Sequence, residues 1–460
     1  MNDLLNKVLA SVKLVLTITI AFCSINLHAG NKKEQKMPGN LFIASRAAYG
    51  NIFDDHDWFI NHNYMDFDLQ CGTATYKCRD DFYAHLYNYP RYGVGISYGT
   101  FSQIKMKDSY LKNIASIYGF FDRDVVRTSK FSAGYILECG LGASRGLYDI
   151  YTNPSNIFLS SPVFFYIAAG LKINVHVNRN WAIGISGRLK HHSNGRLSLP
   201  NQGINMYEIG LEARYTFDDG SDEYASNNWH SDTHNRHSGT DKWHSETDTF
   251  ANRLYDEMAN KYKAEEWKEY LKDRNHYSGF DFHISASGGM HKTKADWRAY
   301  NSGVDDPDRK SSSFKPYPRF SLNLESSYRY GTRFSTGISC SMYWYGGLEE
   351  LKKADTINWG TAAVEKGPGY NHFVLGIGVI QEFYYKNLAV FAEIGLYPYY
   401  KLGLSNALSW NYQKGGIRYY IPKAANMFIG FAVKAIDFAE SEYMELTLGF
   451  RLSPHGRKRS

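Results

Sequence analysis

The residues best suited to chemistry in this chain are His191-His192-Ser193-Asn194, which end an alternating stretch that begins at Trp181. A serine becomes a nucleophile at neutral pH only with a base within hydrogen-bond reach, and that base needs a third group to orient it. On a strand, His191 and Ser193 share one face at about 6.5–7 Å by backbone rise, so their side chains can lean together. Trp181, Ile183, Ile185, Gly187 and Leu189 lie on that same face; Ala182, Gly184, Ser186, Arg188, Lys190 and His192 lie on the other. A His–Ser pair that ends an apolar face suits a nucleophile that must meet a lipid.

A polar loop with Pro200 and Gly203 follows, and an alternating run from 205 to 217 returns, so the whole stretch reads as a β-hairpin. Asn205, Tyr207, Ile209, Leu211, Ala213, Tyr215 and Phe217 form the apolar face of the return strand, opposite Met206, Glu208, Gly210, Glu212, Arg214 and Thr216. Glu208 is the nearest carboxylate in sequence, yet it belongs to the polar face. Asn205 is the group that can face His191 and Ser193.

The elements that must position this hairpin are strands throughout. Residues 1–29 read as a signal peptide: Lys7 and Lys13 precede an apolar run from Leu14 to Phe22, and Leu27-His28-Ala29 offers a cleavage site. No later apolar run approaches the roughly 18–20 residues of a membrane helix. A transmembrane β-barrel remains open, because only alternate residues face lipid and the mean hydropathy of −0.45 can stay polar. The 16% aromatic content fits aromatic girdles at two bilayer interfaces. The net charge of +6 forms no compact basic patch and no nucleic-acid motif accompanies it, so a nucleic-acid partner is not expected. Cys71 and Cys78 bracket a short polar loop and are expected to form a local disulfide, whereas Cys139 and Cys340 read as buried free thiols. No metal-ligand spacing occurs among the cysteines, and the proposed chemistry calls for neither metal nor diffusible cofactor.

Strand-like segments fall near 41–49, within 64–88, and at 92–102, 114–122, 131–144, 163–177, 180–193 and 205–217. They resume near 279–291, 317–329, 332–345, 371–384, 388–399, 414–421, 426–438 and 441–452. Long and short connections alternate, as in outer-membrane barrels, and a periplasmic N-terminus sends the HHSN strand outward. Between the two sets, residues 218–277 are too polar to fold alone at first, then helix-like with Phe250, Leu254, Met258 and Tyr262 at i+4 spacing. His230, His234, His237 and His244 in that segment read as a solvated linker rather than a metal site.

The second set reads as a copy of the first. YPRY at Tyr89–Tyr92 matches YPRF at Tyr317–Phe320, NWAIGISGRLK from Asn180 matches NMFIGFAVKAI from Asn426, and EIGLEARY from Glu208 matches ELTLGFRL from Glu445. In that register His191 meets Asp437 and Ser193 meets Ala439, so the second half keeps the strands and loses the chemistry. The expected fold is all-β: two tandem eight-stranded antiparallel transmembrane β-barrels from an internal duplication, with one barrel of about sixteen strands as the alternative. The expected divisions are 1–29 signal, 30–217 first barrel, 218–277 linker and 278–460 second barrel.

The HHSN motif, the loop with PNQGIN and the alternating return strand resemble the outer-membrane lipid A 3-O-deacylases and the related acyloxyacyl hydrolases, particularly the longer Bacteroidetes-type members. That resemblance implies a Gram-negative outer-membrane location, lipid A of lipopolysaccharide as partner, and a serine esterase on the outer surface of an eight-stranded barrel. It makes Ser193 the nucleophile and His191 the general base, and it puts the triad acid at Asn205, where this chain departs from the best-known members by having an amide. It also implies an oxyanion site of backbone N–H groups after Asn194, near Gly195 and Arg196, with the side chain of Asn201, and a lipid A phosphate as a further contact of Arg196. The competing expectation is a non-catalytic barrel with a structural, surface-interaction or pore role.

Overall fold

The computed structural model describes residues 41–217 and 278–453, apart from 54–58, 76–81, 129, 150, 179, 292–315, 405–409, 423, 425 and 437–439. The signal segment, the His-rich linker with its helix, Cys78, Asp437 and Ala439 therefore lie outside the described residues.

Period-two alternation closes two separate sheets. In the first half the strands are β1 (Leu41–Ile52), β2 (Phe59–Asn61), β3 (Asn63–Ala74), β4 (Arg91–Gly99), β5 (Lys105–Met106), β6 (Ile114–Arg127), β7 (Phe131–Ala143), β8 (Val163–His176), β9 (Trp181–Ser193) and β10 (Ile204–Thr216). The short β2 and β5 pair with each other, and the other eight strands form a closed barrel. In the second half β11 (Ser278–His291), β12 (Tyr317–Tyr330), β13 (Phe334–Tyr345), β14 (Phe373–Tyr385), β15 (Leu388–Tyr399), β16 (Asn411–Tyr420), β17 (Met427–Ile436) and β18 (Glu440–Leu452) close a second one. Strand β10 returns to β1 in register from Phe42↔Thr216 to Ile52↔Met206. The first sheet is thus complete before the linker begins, and the single sixteen-stranded barrel does not form.

Outward side chains are apolar and inward ones are charged. Ile183, Ile185 and Leu189 on β9 and Tyr207, Ile209 and Leu211 on β10 are exposed, forming the face that a bilayer covers. Arg188, Lys190, Glu208 and Glu212 from the same two strands are buried in the lumen. There Arg46 Nη1 donates to Asp68 at 3.1 Å and to Glu208 at 2.5 Å, and Arg188 pairs with Glu138 at 2.7 Å. The second lumen repeats the device: Arg418 bridges Glu325 at 2.6 Å and Glu382 at 2.7 Å, and Lys414 reaches Glu393 at 3.0 Å. Eight strands leave an interior that side chains can fill, and buried charges persist there only when paired.

Three details differ from the sequence reading. YPRY opens β4, the third strand of its barrel, whereas YPRF opens β12, the second of its own, so the two motifs start strands of opposite direction and are not equivalent. The β9/β17 and β10/β18 matches do fall on corresponding strands, seventh and eighth in each barrel. Cys71, Cys139 and Cys340 are all free thiols and all exposed. In a barrel with an apolar exterior, the face that looks like a core in the sequence is the outer one, so these cysteines project to the lipid side rather than into a disulfide or a core. A helix at Phe82–Leu86, between β3 and β4, and two at Leu348–Trp359 and Thr361–Lys366, between β13 and β14, occupy connections for which the sequence reading named no helix.

The barrels touch at both ends. Near one end the Tyr87 ring packs on Phe383 at 5.2 Å and Tyr385 at 5.4 Å, and its hydroxyl donates to the Tyr384 carbonyl. Toward the other, Phe165 of β8 stacks on Phe431 of β17 at 5.0 Å. The end with the long connections 100–113, 144–162 and 194–203 is the outer one on the convention of outer-membrane barrels.

Candidate active site

The outer end of β9 carries the site. His191 and Asn205 are direct cross-strand partners, which follows from the even alternation of the hairpin. Asn205 Oδ1 lies 2.7 Å from His191 Nδ1. An amide oxygen only accepts, so Nδ1 carries the proton and Nε2 presents its lone pair, the tautomer a general base requires. Glu208 points into the lumen, as its parity demands, and accepts from Tyr64 at 2.9 Å. His192 also points inward, between Phe164 and Tyr166 with ring separations of 5.3 and 5.1 Å.

Ser193 is 7% exposed although its parity is outward, because the following loop folds over it. Asn201 Nδ2 donates to Ser193 Oγ at 2.9 Å and the Gly195 N–H donates to the same oxygen at 3.2 Å. Two donors thus converge on the hydroxyl oxygen of the nucleophile candidate. Among the described residues no hydrogen bond joins His191 to Ser193.

The loop holds this shape through its neighbours. Asn194 is fully enclosed; its side chain donates to Ser160 Oγ and the Ser198 carbonyl, both at 3.1 Å, and its N–H donates to Asn201 Oδ1 at 3.0 Å. The Asn194 N–H therefore orients the Asn201 carboxamide. Gln202 and Gly203 donate to the Ile157 and Phe158 carbonyls at 3.1 and 3.3 Å, so connection 144–162 braces the site. Phe158, Leu159, Phe164, Ile204 and Met206 pack below as an apolar plug with Phe59 and Met106 of the small sheet. Gly203 has φ of +73°, and a Cβ there would stand 2.8 Å from His191 Cε1. Arg196, also in the left-handed region at φ of +69°, is buried rather than spread over the surface.

The sequence singled out the seven loop and strand residues but not their braces. Ser160 and the second-barrel residue Ser441, whose Oγ lies 3.4 Å from Asn201 Nδ2, carry no local motif and become visible only through contacts, and Gly203, a turn residue of the PNQGIN loop, shows its closeness to His191 only in the fold. Asp66, Asp68 and Glu208 bring carboxylate oxygens within 4.8 Å of one another, a spacing suited to a cation. Lys190 already bonds Asp66 and Glu208, and Arg46 bonds Asp68 and Glu208, so the charge a metal would neutralise is met by the chain itself.

Two closed barrels with apolar exteriors and charge-filled interiors define an outer-membrane protein of the Gram-negative type. The chain belongs to the lipid A 3-O-deacylase and acyloxyacyl hydrolase family: the model described as Lipid A 3-O-deacylase (PagL) matches residues 72–216, and that described as Acyloxyacyl hydrolase, C-terminal domain, matches residues 280–454. No curated protein matches the chain. Among solved structures, Neisserial surface protein A is similar at 11% identity and a TM-score of 0.27, covering 38% of this chain and 97% of its own. The attachment invasion locus protein Ail of Yersinia pestis is similar at 14% identity and a TM-score of 0.23, covering 39% of this chain and all of its own.

Proposed function

We propose that the first barrel is a serine esterase that removes ester-linked acyl chains from lipid A in the outer leaflet. The observation that carries this reading is the Asn205 Oδ1 contact to His191 Nδ1 at 2.7 Å, with Ser193 Oγ held by two donors on the same face. Ser193 Oγ attacks the ester carbonyl carbon while His191 Nε2 takes its proton. The carbonyl oxygen becomes an oxyanion, received by the Gly195 N–H and Asn201 Nδ2. The carbonyl re-forms, His191 returns the proton to the sugar oxygen, and the acylated Ser193 is then hydrolysed by water through the same base. The His191–Ser193 hydrogen bond forms in the substrate complex, as catalytic hydrogen bonds often tighten there.

Asn205 orients the imidazole but brings no negative charge to the imidazolium, so the reaction is slow relative to a carboxylate triad. That same amide favours one other reading, a non-catalytic barrel with the hairpin as a structural feature. Mass spectrometry of lipid A from cells expressing the chain or its Ser193→Ala variant separates the two. Loss of acyl chains with the wild type alone is expected, and identical lipid A from both and from non-expressing cells overturns the esterase reading.

A further inference from the structure

The second barrel lacks the hairpin chemistry, yet its strand β18 bears on both donors that converge on Ser193. Asn201 Nδ2, 2.9 Å from Ser193 Oγ, also reaches Ser441 Oγ at 3.4 Å. Gly195, whose N–H meets Ser193 Oγ, lies so close to β18 that a Cβ on it would stand 2.5 Å from Met444 Cγ and 2.6 Å from its sulfur. Met444 is 8% exposed, whereas Leu446 on the same outward face is 70% exposed, so the first barrel is what covers it.

Residues three apart on a regular strand point to opposite sides, and Ser441 and Met444 should not both face the first barrel. The ladder between β17 and β18 shows why they do. Lys434 pairs with Tyr443 while Ala435 pairs with Ser441, leaving Glu442 as an extra residue in β18. Both Glu442 and Tyr443 consequently turn into the lumen: Glu442 Oε1 accepts from Arg319 at 2.7 Å and from Tyr345 at 2.8 Å, and the Tyr443 hydroxyl donates to Glu445 at 2.9 Å. Bulges re-aim side chains beside functional sites, and this one puts Ser441 and Met444 on one side, against the loop.

We propose that the second barrel is a positioning element for the first: Ser441 orients the Asn201 carboxamide and Met444 holds the Gly195 N–H, so that both donors aim at the oxyanion. Ser441 and Met444 do not touch the reacting atoms; they act through Asn201 and Gly195. This rests on the esterase reading of Ser193. It also gives the Glu442 bulge a role that the lumen alone does not require, since a regular strand can line a lumen equally well.

The test uses the full chain, purified and refolded in detergent, with acyl release from lipid A followed for kcat and KM and folding checked by circular dichroism. Ser441→Ala is expected to lower kcat about threefold to tenfold with KM within about twofold, and Ser441→Thr, which keeps the hydroxyl, to restore it. Combining Ser441→Ala with Asn201→Ala should cost no more than Asn201→Ala alone, because one acts through the other. Met444→Ala should lower kcat in the same way. Unchanged kcat in Ser441→Ala and Met444→Ala, a rise in KM alone, or full additivity with Asn201→Ala overturns the proposal while leaving the esterase reading intact. A wild-type chain that releases no acyl group overturns both.

Discussion

The two barrels have the same strand number, the same closure and lumens filled by ion pairs, and they differ at the hairpin between their seventh and eighth strands. In the first, β9 and β10 are joined by residues 194–203, whose carboxamides and N–H groups fold back over Ser193. In the second, β17 and β18 are joined by only 437–439. Every strand in both must alternate apolar outward and polar inward, and that requirement fixes the barrel. The proposed chemistry rests on a few residues at the rim, and Ser193, His191, Asn205 and Asn201 bring no charge to the ion-paired lumen. A barrel can therefore keep its architecture without the site, and the second one shows such an arrangement.

The sharpest way to break that contrast is Ser193→Ala. Acyl release should fall by about 10³-fold or more, and labelling by a serine-reactive fluorophosphonate should disappear. Labelling that persists on any residue of the second barrel would place the chemistry in the wrong half. Asn201→Ala comes next: losing one oxyanion donor is expected to lower kcat about 10²-fold, read by steady-state acyl release. A change confined to KM would mean that Asn201 binds substrate and does not serve the oxyanion.

Asn205→Asp runs in the opposite direction. The substitution is nearly isosteric, keeps an oxygen 2.7 Å from His191 Nδ1, and adds the charge that an imidazolium lacks in this chain. kcat should rise about tenfold, and the acid limb of the pH–rate profile should move to higher pH because a neighbouring carboxylate favours protonated His191. An unchanged or lower rate would show that the carboxamide is itself the better orienting group here.

How far the sequence revealed this arrangement depended on the range of the interaction. Alternation put His191, Ser193 and Asn205 on the outward face, and the β9–β10 register pairs His191 with Asn205 directly. All sixteen barrel strands were visible for the same reason, since a period of two is a local property. The YPRY and YPRF match misled because four residues carry no strand direction. The exposure of Cys139 and Cys340 was missed because an apolar alternate face reads as a core until the sheet is known to close with that face outside. Ser160, Ser441 and Met444 were invisible: Ser160 reaches the site from connection 144–162 and the other two from β18 of the other barrel, and a hydroxyl or a thioether has no spacing to betray such a contact.

The smallest expected effect concerns a carboxylate cluster of the first lumen that resembles a metal site. Asp66, Asp68 and Glu208 offer three oxygens within 4.8 Å, yet Lys190 lies 3.0 Å from Glu208 and also bonds Asp66, while Arg46 reaches both Asp68 and Glu208. A divalent cation entering there would have to displace two buried cations from the carboxylates they pair with, at a desolvation cost of several kcal/mol per ion. The second lumen meets its carboxylates in the same manner, with Arg418 on Glu325 and Glu382. Both barrels thus meet their lumen carboxylates with basic side chains. Treating the purified chain with a chelator should leave acyl release and thermal unfolding unchanged within error. A loss of activity restored by a divalent cation would separate the two lumens and require a bound ion in the first.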